Sequence, residues 1–228
     1  NLLSNAETLV DAWRFTSDDV LLHALPIFHT HGLFVATNVV LLTGGSMIFL
    51  PKFDLNAVVS SLPKASAMMG VPTFYKRLLD DERFSRELVA HMRLFISGSA
   101  PLLAETHDRF AERTGHRILE RYGMSETASH VALRKLNPAE KEDSHEEWPA
   151  FRALPGITLE KDKNECLVIR VPFISNEPIR THDLVSMQDA QSFHWLGRAD
   201  NIINSGGVKL VPERLEAELE PVVRRRFF

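Results

Sequence analysis

The hexapeptide Tyr122-Gly123-Met124-Ser125-Glu126-Thr127 gathers a ring face, a flexible backbone, two hydroxyls and a carboxylate within one short segment. A glycine after a strand lets the backbone turn tightly and turn its N–H groups toward a ligand. Ser125 and Thr127 offer hydroxyls to a phosphate, Glu126 offers a hard oxygen to magnesium, and Tyr122 offers a face to a flat ring. A plain turn with a satisfied glutamate uses the same residues, so spacing alone leaves both readings open. Upstream, Ser97-Gly98-Ser99-Ala100-Pro101 combines small residues that admit a ring or a phosphate. It reads equally well as a strand-to-helix turn in which Pro101 opens the next helix. Downstream, Thr181-His182-Asp183 and Gly197-Arg198-Ala199-Asp200 bring an aspartate and an arginine that could grip sugar hydroxyls, or form an ordinary surface ion pair. His29-Thr30-His31-Gly32 invites a metal reading, because on a strand His29 and His31 would project the same way. No third ligand is evident nearby in the sequence. Arg77 ends the run from Gly70 at the start of an expected helix, where its planar fork suits a carboxylate and also suits a solvated face.

The elements that must position these residues follow an α/β pattern, short apolar runs alternating with helix-period segments. Residues 21–27, 46–50, 65–69 and 92–97 read as buried strands, and 55–62 and 73–79 as helices. Residues 102–114 form a clearer helix, with Leu103, Phe110 and Ala111 on one face and Gly115 as its stop. Residues 117–120 read as a strand entering the Tyr122 turn. Five acids against Lys141 in 137–147 read as a solvated loop. Beyond it the texture turns to β at 166–171 and 192–196, and Pro212-Glu213 opens a helix carrying Leu215, Leu219 and Val222 on one side.

Twenty-six Lys and Arg against thirty Asp and Glu leave a net charge of −4 over 228 residues, which argues against a nucleic-acid partner. The single cysteine, Cys166, excludes an internal disulfide framework and a multi-cysteine zinc site. The most apolar run, 33–42, is interrupted by Thr37 and Asn38 and is far shorter than the roughly 20 residues a membrane span needs. The cytoplasm is the expected compartment. The first residues lack a charged head and cleavage site, and both ends read as interior to a longer sequence.

Taken in order, these pieces resemble the adenylate-forming acid–CoA ligases, the AMP-binding superfamily. His29-Thr30-His31-Gly32 resembles the aromatic and histidine motif beside the acyl pocket. Residues 97–101 resemble the adenine-side loop, and 122–127 the signature whose tyrosine stacks on adenine. Residues 1 to about 127 resemble the malonyl-CoA synthetases, through 24–28, 49–54, 70–77 and 94–102. Residues from 129 onward resemble the o-succinylbenzoate–CoA ligases of menaquinone synthesis, through 129–134, 153–157 and 195–209.

The resemblance implies an α/β fold: the central part of the large N-terminal domain, mixed sheets with flanking helices plus a small β-rich segment. It divides the chain into an acyl- and adenine-binding core at 1–136, an acidic loop at 137–150, a ribose-side segment at 151–200, and the hinge-proximal start of the C-terminal domain at 201–228. The phosphate loop and the lysine-bearing lid domain fall outside this sequence, so weak or absent activity is expected of the chain alone. The implied substrates are ATP, a small dicarboxylic acid with malonate favoured over o-succinylbenzoate, and coenzyme A, with magnesium as the metal. Thr127 would contact the α-phosphate and Glu126 the magnesium. Ser99, Ala100, Pro101, Tyr122, Gly123, Met124 and Ser125 would line the nucleotide, with Asp183 and Arg198 at the ribose and Asp200 as hinge pivot. His29, His31, Ser97 and Arg77 would face the acid, His29 standing with Thr127 and Glu126 as a catalytic residue and Arg77 taking the second carboxylate. His182 stands where the family's tripeptide usually has glycine. A non-catalytic nucleotide-binding fragment is the rival reading.

Overall fold

A computed structural model describes residues 2–127, 131–134, 150–172, 174–205, 208–213, 215–216 and 219. The chain divides into two compact units, 1–148 and 149–228. The expected acidic loop, the helix beyond residue 219 and Ser129-His130 lie outside the described residues.

In the first unit, α1 (Leu2–Trp13) precedes β1 (Val20–His23), and a π-helical segment (His31–Ala36) leads into α2 (Thr37–Thr43). There follow β2 (Ser46–Phe49), α3 (Leu55–Ser61), β3 (Ala67–Gly70), α4 (Pro72–Leu79), α5 (Arg86–Val89), β4 (Leu94–Ser97), α6 (Ala104–Thr114), β5 (Ile118–Tyr122) and β6 (Ala132–Arg134). The sheet order is β2-β1-β3-β4-β5-β6. Its first five strands are parallel, and β6 runs antiparallel to β5 with Glu120 opposite Arg134. Helical crossovers bury most of these strands, which explains their near-continuous apolar sequences.

Beneath α4 and α6 the core gathers Leu22, Met68, Tyr75, Phe84, Phe95 and Phe110. Phe110 meets Phe95 and Tyr75 edge-on, with centroids 5.0 and 5.5 Å apart. The Tyr75 hydroxyl donates to the Ile96 carbonyl at 2.6 Å, which satisfies the polar end of a ring wholly inside the core. Gly115 closes α6 in the left-handed conformation, φ 77°, as its glycine requires.

Asp19, Ser66 and Arg93 sit just before β1, β3 and β4 and staple the amino-terminal edge of this sheet. Asp19 accepts from Ser66 Oγ and Arg93 Nε, each at 2.7 Å. Burial pushes its carboxyl upward, but the bonds from Arg93, Ser66 and Thr16 outweigh that and hold it at about 2. The opposite, carboxyl-terminal edge carries the loops expected to do chemistry.

The second unit is an antiparallel ladder of order β7-β11-β10-β9-β8. Its strands are β7 (Phe151–Ala153), β8 (Thr158–Lys161), β9 (Cys166–Arg170), β10 (Ile179–Asp189) and β11 (Ser192–Arg198), followed by the hairpin β12 (Ile203–Ser205) and β13 (Val208–Leu210). After β13, the Leu215 N–H bonds the Val211 carbonyl at 3.3 Å, the opening turn expected at Pro212.

Two readings change. Residues 21–27 are not one strand: β1 ends at His23. His29 and His31 lie at a turn and the start of a helical segment rather than on a strand, so the shared projection expected of them does not arise.

Candidate functional site

His23 shapes the loop that follows β1. Its Nδ1 accepts the Leu25 N–H at 3.2 Å, so the ring proton resides on Nε2, which donates to the Gly32 carbonyl at 3.0 Å. Burial pulls this imidazole below its ordinary value and keeps it neutral, as that pattern of bonds requires. Gly32 also accepts from the Thr37 hydroxyl at 3.0 Å. Two side chains thereby occupy a carbonyl in the π-helical stretch, where the usual helical partner is displaced. A Cβ on Gly32 would fall 2.3 Å from the Pro26 oxygen, so the loop closes only on glycine. Above this base His29 is exposed, its ring against Phe28 with centroids 4.6 Å apart, while His31 is buried.

Three loops at carboxyl ends of parallel strands meet here, the edge at which open α/β sheets bind ligands. His31 Nδ1 lies 3.2 Å from Ser99 Oγ, joining the β1 loop to the β4 loop. Thr30 Oγ1 lies 3.2 Å from Ser125 Oγ, joining the β1 loop to the β5 loop. Ser99 is held at φ 68°, a conformation that costs a non-glycine residue of order 1 kcal/mol or more. Ser97 ends β4 wholly buried, and its Oγ has no hydrogen-bond partner among the described residues. Ala100 and Pro101 are exposed. Gly98 packs so closely on the buried Arg121 side chain that a Cβ would lie 2.6 Å from Nε. Burial pulls that guanidinium down to about 10.

Below these loops, Glu120 accepts from the Leu102 N–H and from Arg134 Nη1, both at 3.0 Å, and so ties the β4 loop to β5 and β6. Residues 125–127 form a single 3₁₀ turn. Tyr122, Gly123 and Met124 are half-buried, Ser125 and Glu126 exposed. Thr127 is buried, and its hydroxyl donates to the Met124 carbonyl at 3.0 Å. Glu126 forms no ion pair among the described residues, so its carboxylate is available to a cation. A lone hard carboxylate suits magnesium, which binds through one or two carboxylates together with phosphate oxygens and water. Among the described residues no three His, Cys, Asp or Glu side chains cluster as a metal site, which leaves His29 and His31 without the third ligand that a zinc site needs.

Arg77 is exposed on α4, its guanidinium 4.6 Å above the Phe53 ring, which stacks on Phe74 at 4.2 Å. No hydrogen bond or ion pair among the described residues joins it to the three loops.

In the second unit the expected ribose pair comes together through strand pairing, Asp183 standing opposite Arg198. Between Arg180 and Leu184, β10 spends four steps where β9 spends two, from Val168 to Cys166, and this bulge carries Thr181-His182-Asp183. Asp183 is buried, with Oδ1 3.9 Å from Arg198 Nη1. Arg198 Nη2 donates to Asp200 Oδ2 at 2.7 Å, and His182 Nδ1 lies 2.6 Å from Asp200 Oδ1. The Arg198 bond is the main reason the Asp200 carboxyl lies below the usual range. The residue in the usual glycine position is thus engaged with the expected hinge pivot.

Residues 1–159 match the sequence pattern of the AMP-binding enzyme family. The chain belongs to this family.

Mitochondrial malonate–CoA ligase ACSF3 of Mus musculus is 36% identical over 154 residues, covering 60% of this chain and 26% of the mouse protein. The structure of ATP-bound MatB from Rhodopseudomonas palustris is similar at a TM-score of 0.83 with 41% identity, covering 96% of this chain and 48% of that one. MenE from Bacillus subtilis, solved with ATP and magnesium, matches at a TM-score of 0.76 with 19% identity over 96% of this chain and 50% of its own, a likeness of fold alone. The chain therefore spans half or less of the length of each. The MatB likeness identifies the fold as that of the N-terminal domain of adenylate-forming enzymes, as expected.

Sequence reasoning assigned no individual role to Thr30, Gly32, Glu120 or Trp195. Gly32 directly after a polar His-Thr-His run was a legible signal of close approach. The partners of the other three lie 95, 14 and 12 residues away, beyond what local spacing reveals.

Proposed function

We propose that the chain forms the nucleotide- and acid-binding part of an ATP-dependent acid–CoA ligase acting on a small dicarboxylic acid, malonate before o-succinylbenzoate. The observation that carries this reading is the meeting of the loops after β1, β4 and β5, tied by His31 to Ser99 and Thr30 to Ser125. The 41% identity to MatB and the 36% identity to the mouse malonate–CoA ligase support the choice of acid.

In the first half-reaction a carboxylate oxygen of the acid bonds the α-phosphorus of ATP as the bond to pyrophosphate breaks, giving an acyl-adenylate. In the second, the thiol of coenzyme A adds to the acyl carbon, its proton is lost, and AMP leaves. Tyr122 stacks on adenine beside the small residues 98–101, and Asp183 and Arg198 hold the ribose. Thr127 turns its hydroxyl from Met124 to the α-phosphate, and Glu126 would hold magnesium, which would offset the phosphate charge. His29, His31 and Ser97 line the acid, and Arg77 meets its second carboxylate as a bidentate fork. Asp200 is the hinge pivot.

Titration calorimetry of the chain with AMP and with ATP and magnesium tests nucleotide binding. Catalysis is read from single-turnover pyrophosphate release after joining the chain to the phosphate loop and lysine domain of a MatB-type ligase. Malonate should release pyrophosphate and o-succinylbenzoate should not. Release with o-succinylbenzoate alone would transfer the assignment to that acid, and nucleotide binding without release from either would leave a binding fragment.

A further inference from the structure

Trp195 donates its indole Nε1–H to Asp183 Oδ1 at 3.0 Å, and it can do so only because β11 is irregular. On an unbroken strand, residues three apart point to opposite faces, so Trp195 and Arg198 could not both face Asp183. The pairing runs Asp183 to Arg198 and Leu184 to Gly197, then Val185 to Trp195, passing over Leu196. That single extra residue re-aims Trp195 onto the face of Asp183, the use to which bulges beside functional sites are put. From the other side, Thr181 Oγ1 accepts the Asp183 N–H at 3.0 Å while donating to the Leu167 carbonyl at 2.8 Å. Backbone and carboxylate of Asp183 are thus both fixed, the carboxylate by a donor that carries no charge and does not titrate.

We propose that Trp195 is the positioning residue for Asp183, setting its carboxylate in the orientation that receives a vicinal diol of a nucleoside. An indole donor suits this role better than a second cation. It fixes the carboxylate without neutralising it, and the ordering is complete before the ligand arrives. The inference rests on the assignment of Asp183 to the ribose.

The test compares AMP with 2′,3′-dideoxyadenosine monophosphate by calorimetry on the chain, on Trp195→Phe and on Asp183→Ala, with urea midpoints to confirm folding. Trp195→Phe keeps an aromatic ring and removes the N–H; Trp195→Leu also removes the donor should the first variant not fold. Removing the N–H should weaken AMP about tenfold, the equivalent of one well-made hydrogen bond, and leave the dideoxy nucleotide unchanged. In the Asp183→Ala background the same substitution should add nothing. Equal weakening of both nucleotides, or no weakening of AMP by a variant that folds, overturns the role of Trp195 while the ribose assignment stands. If Asp183→Ala fails to separate the two nucleotides, the ribose assignment itself falls, and the role of Trp195 with it.

Discussion

The two units hold their candidate residues by opposite means. In the first, these residues ride on loops beyond the carboxyl ends of β1, β4 and β5, and the loops are shaped by buried contacts: His23 to Leu25 and Gly32, Thr127 to Met124, and Glu120 to Leu102 and Arg134. In the second, they stand on paired strands, aimed by bulges in β10 and β11, and bound by exposed charge among His182, Arg198 and Asp200. A loop needs a buried scaffold because nothing else fixes its backbone, whereas a strand has its neighbours. Stability should therefore be sensitive to substitution under the first set and tolerant of it in the second.

The largest effect is expected at Glu120. Glu120→Ala removes a carboxylate partner of the buried Arg134 and strips the Leu102 N–H of its acceptor, and should cost about 3–5 kcal/mol in urea unfolding. A loss under about 1 kcal/mol would show that these loops do not depend on their base. Next, Gly32→Ala forces a Cβ onto the Pro26 carbonyl and should cost about 2–3 kcal/mol, measured the same way. An unchanged midpoint would refute the close approach.

Acid should act on the first unit through His23. Because burial lowers its folded value below 6.5, the unfolded chain takes up the proton first. Stability is then fully present above pH 6.5 and declines as the pH falls below it. The difference between the pH profiles of the chain and of His23→Gln isolates that one-proton slope, and parallel profiles would remove His23 from the account. The smallest effect belongs to the second unit. Asp200→Asn removes two exposed pairs and should move the melting midpoint by no more than about 4 °C, in line with surface ion pairs generally. A large shift there would break the contrast between the units.

Much of the first unit was legible because its strands and helices are sharply patterned. Leu94–Ser97 is a buried apolar run, and α6 ends on the glycine that the sequence nominates. β10 was not legible as a strand, since the bulge at Thr181-His182-Asp183 interrupts its alternation. The His29–His31 segment read as a strand because its alternation is short. The helical pattern won there, with the Leu33 N–H bonded to the His29 carbonyl at 2.9 Å. The motif residues could be named from their types and order, yet the use of Thr127 within its own turn could not, because a hydroxyl serves a turn or a ligand equally well.

The sequence by itself determined the family, the alternation of elements and the chemical kinds of the candidate residues, all of which are properties of local composition and order. Tertiary structure alone decided which of them touch: Thr30 with Ser125, His31 with Ser99, Trp195 with Asp183 and His182 with Asp200. Those meetings depend on strand order, on register and on one extra residue in a ladder, and a shift of one position in a strand sends every side chain to the other face.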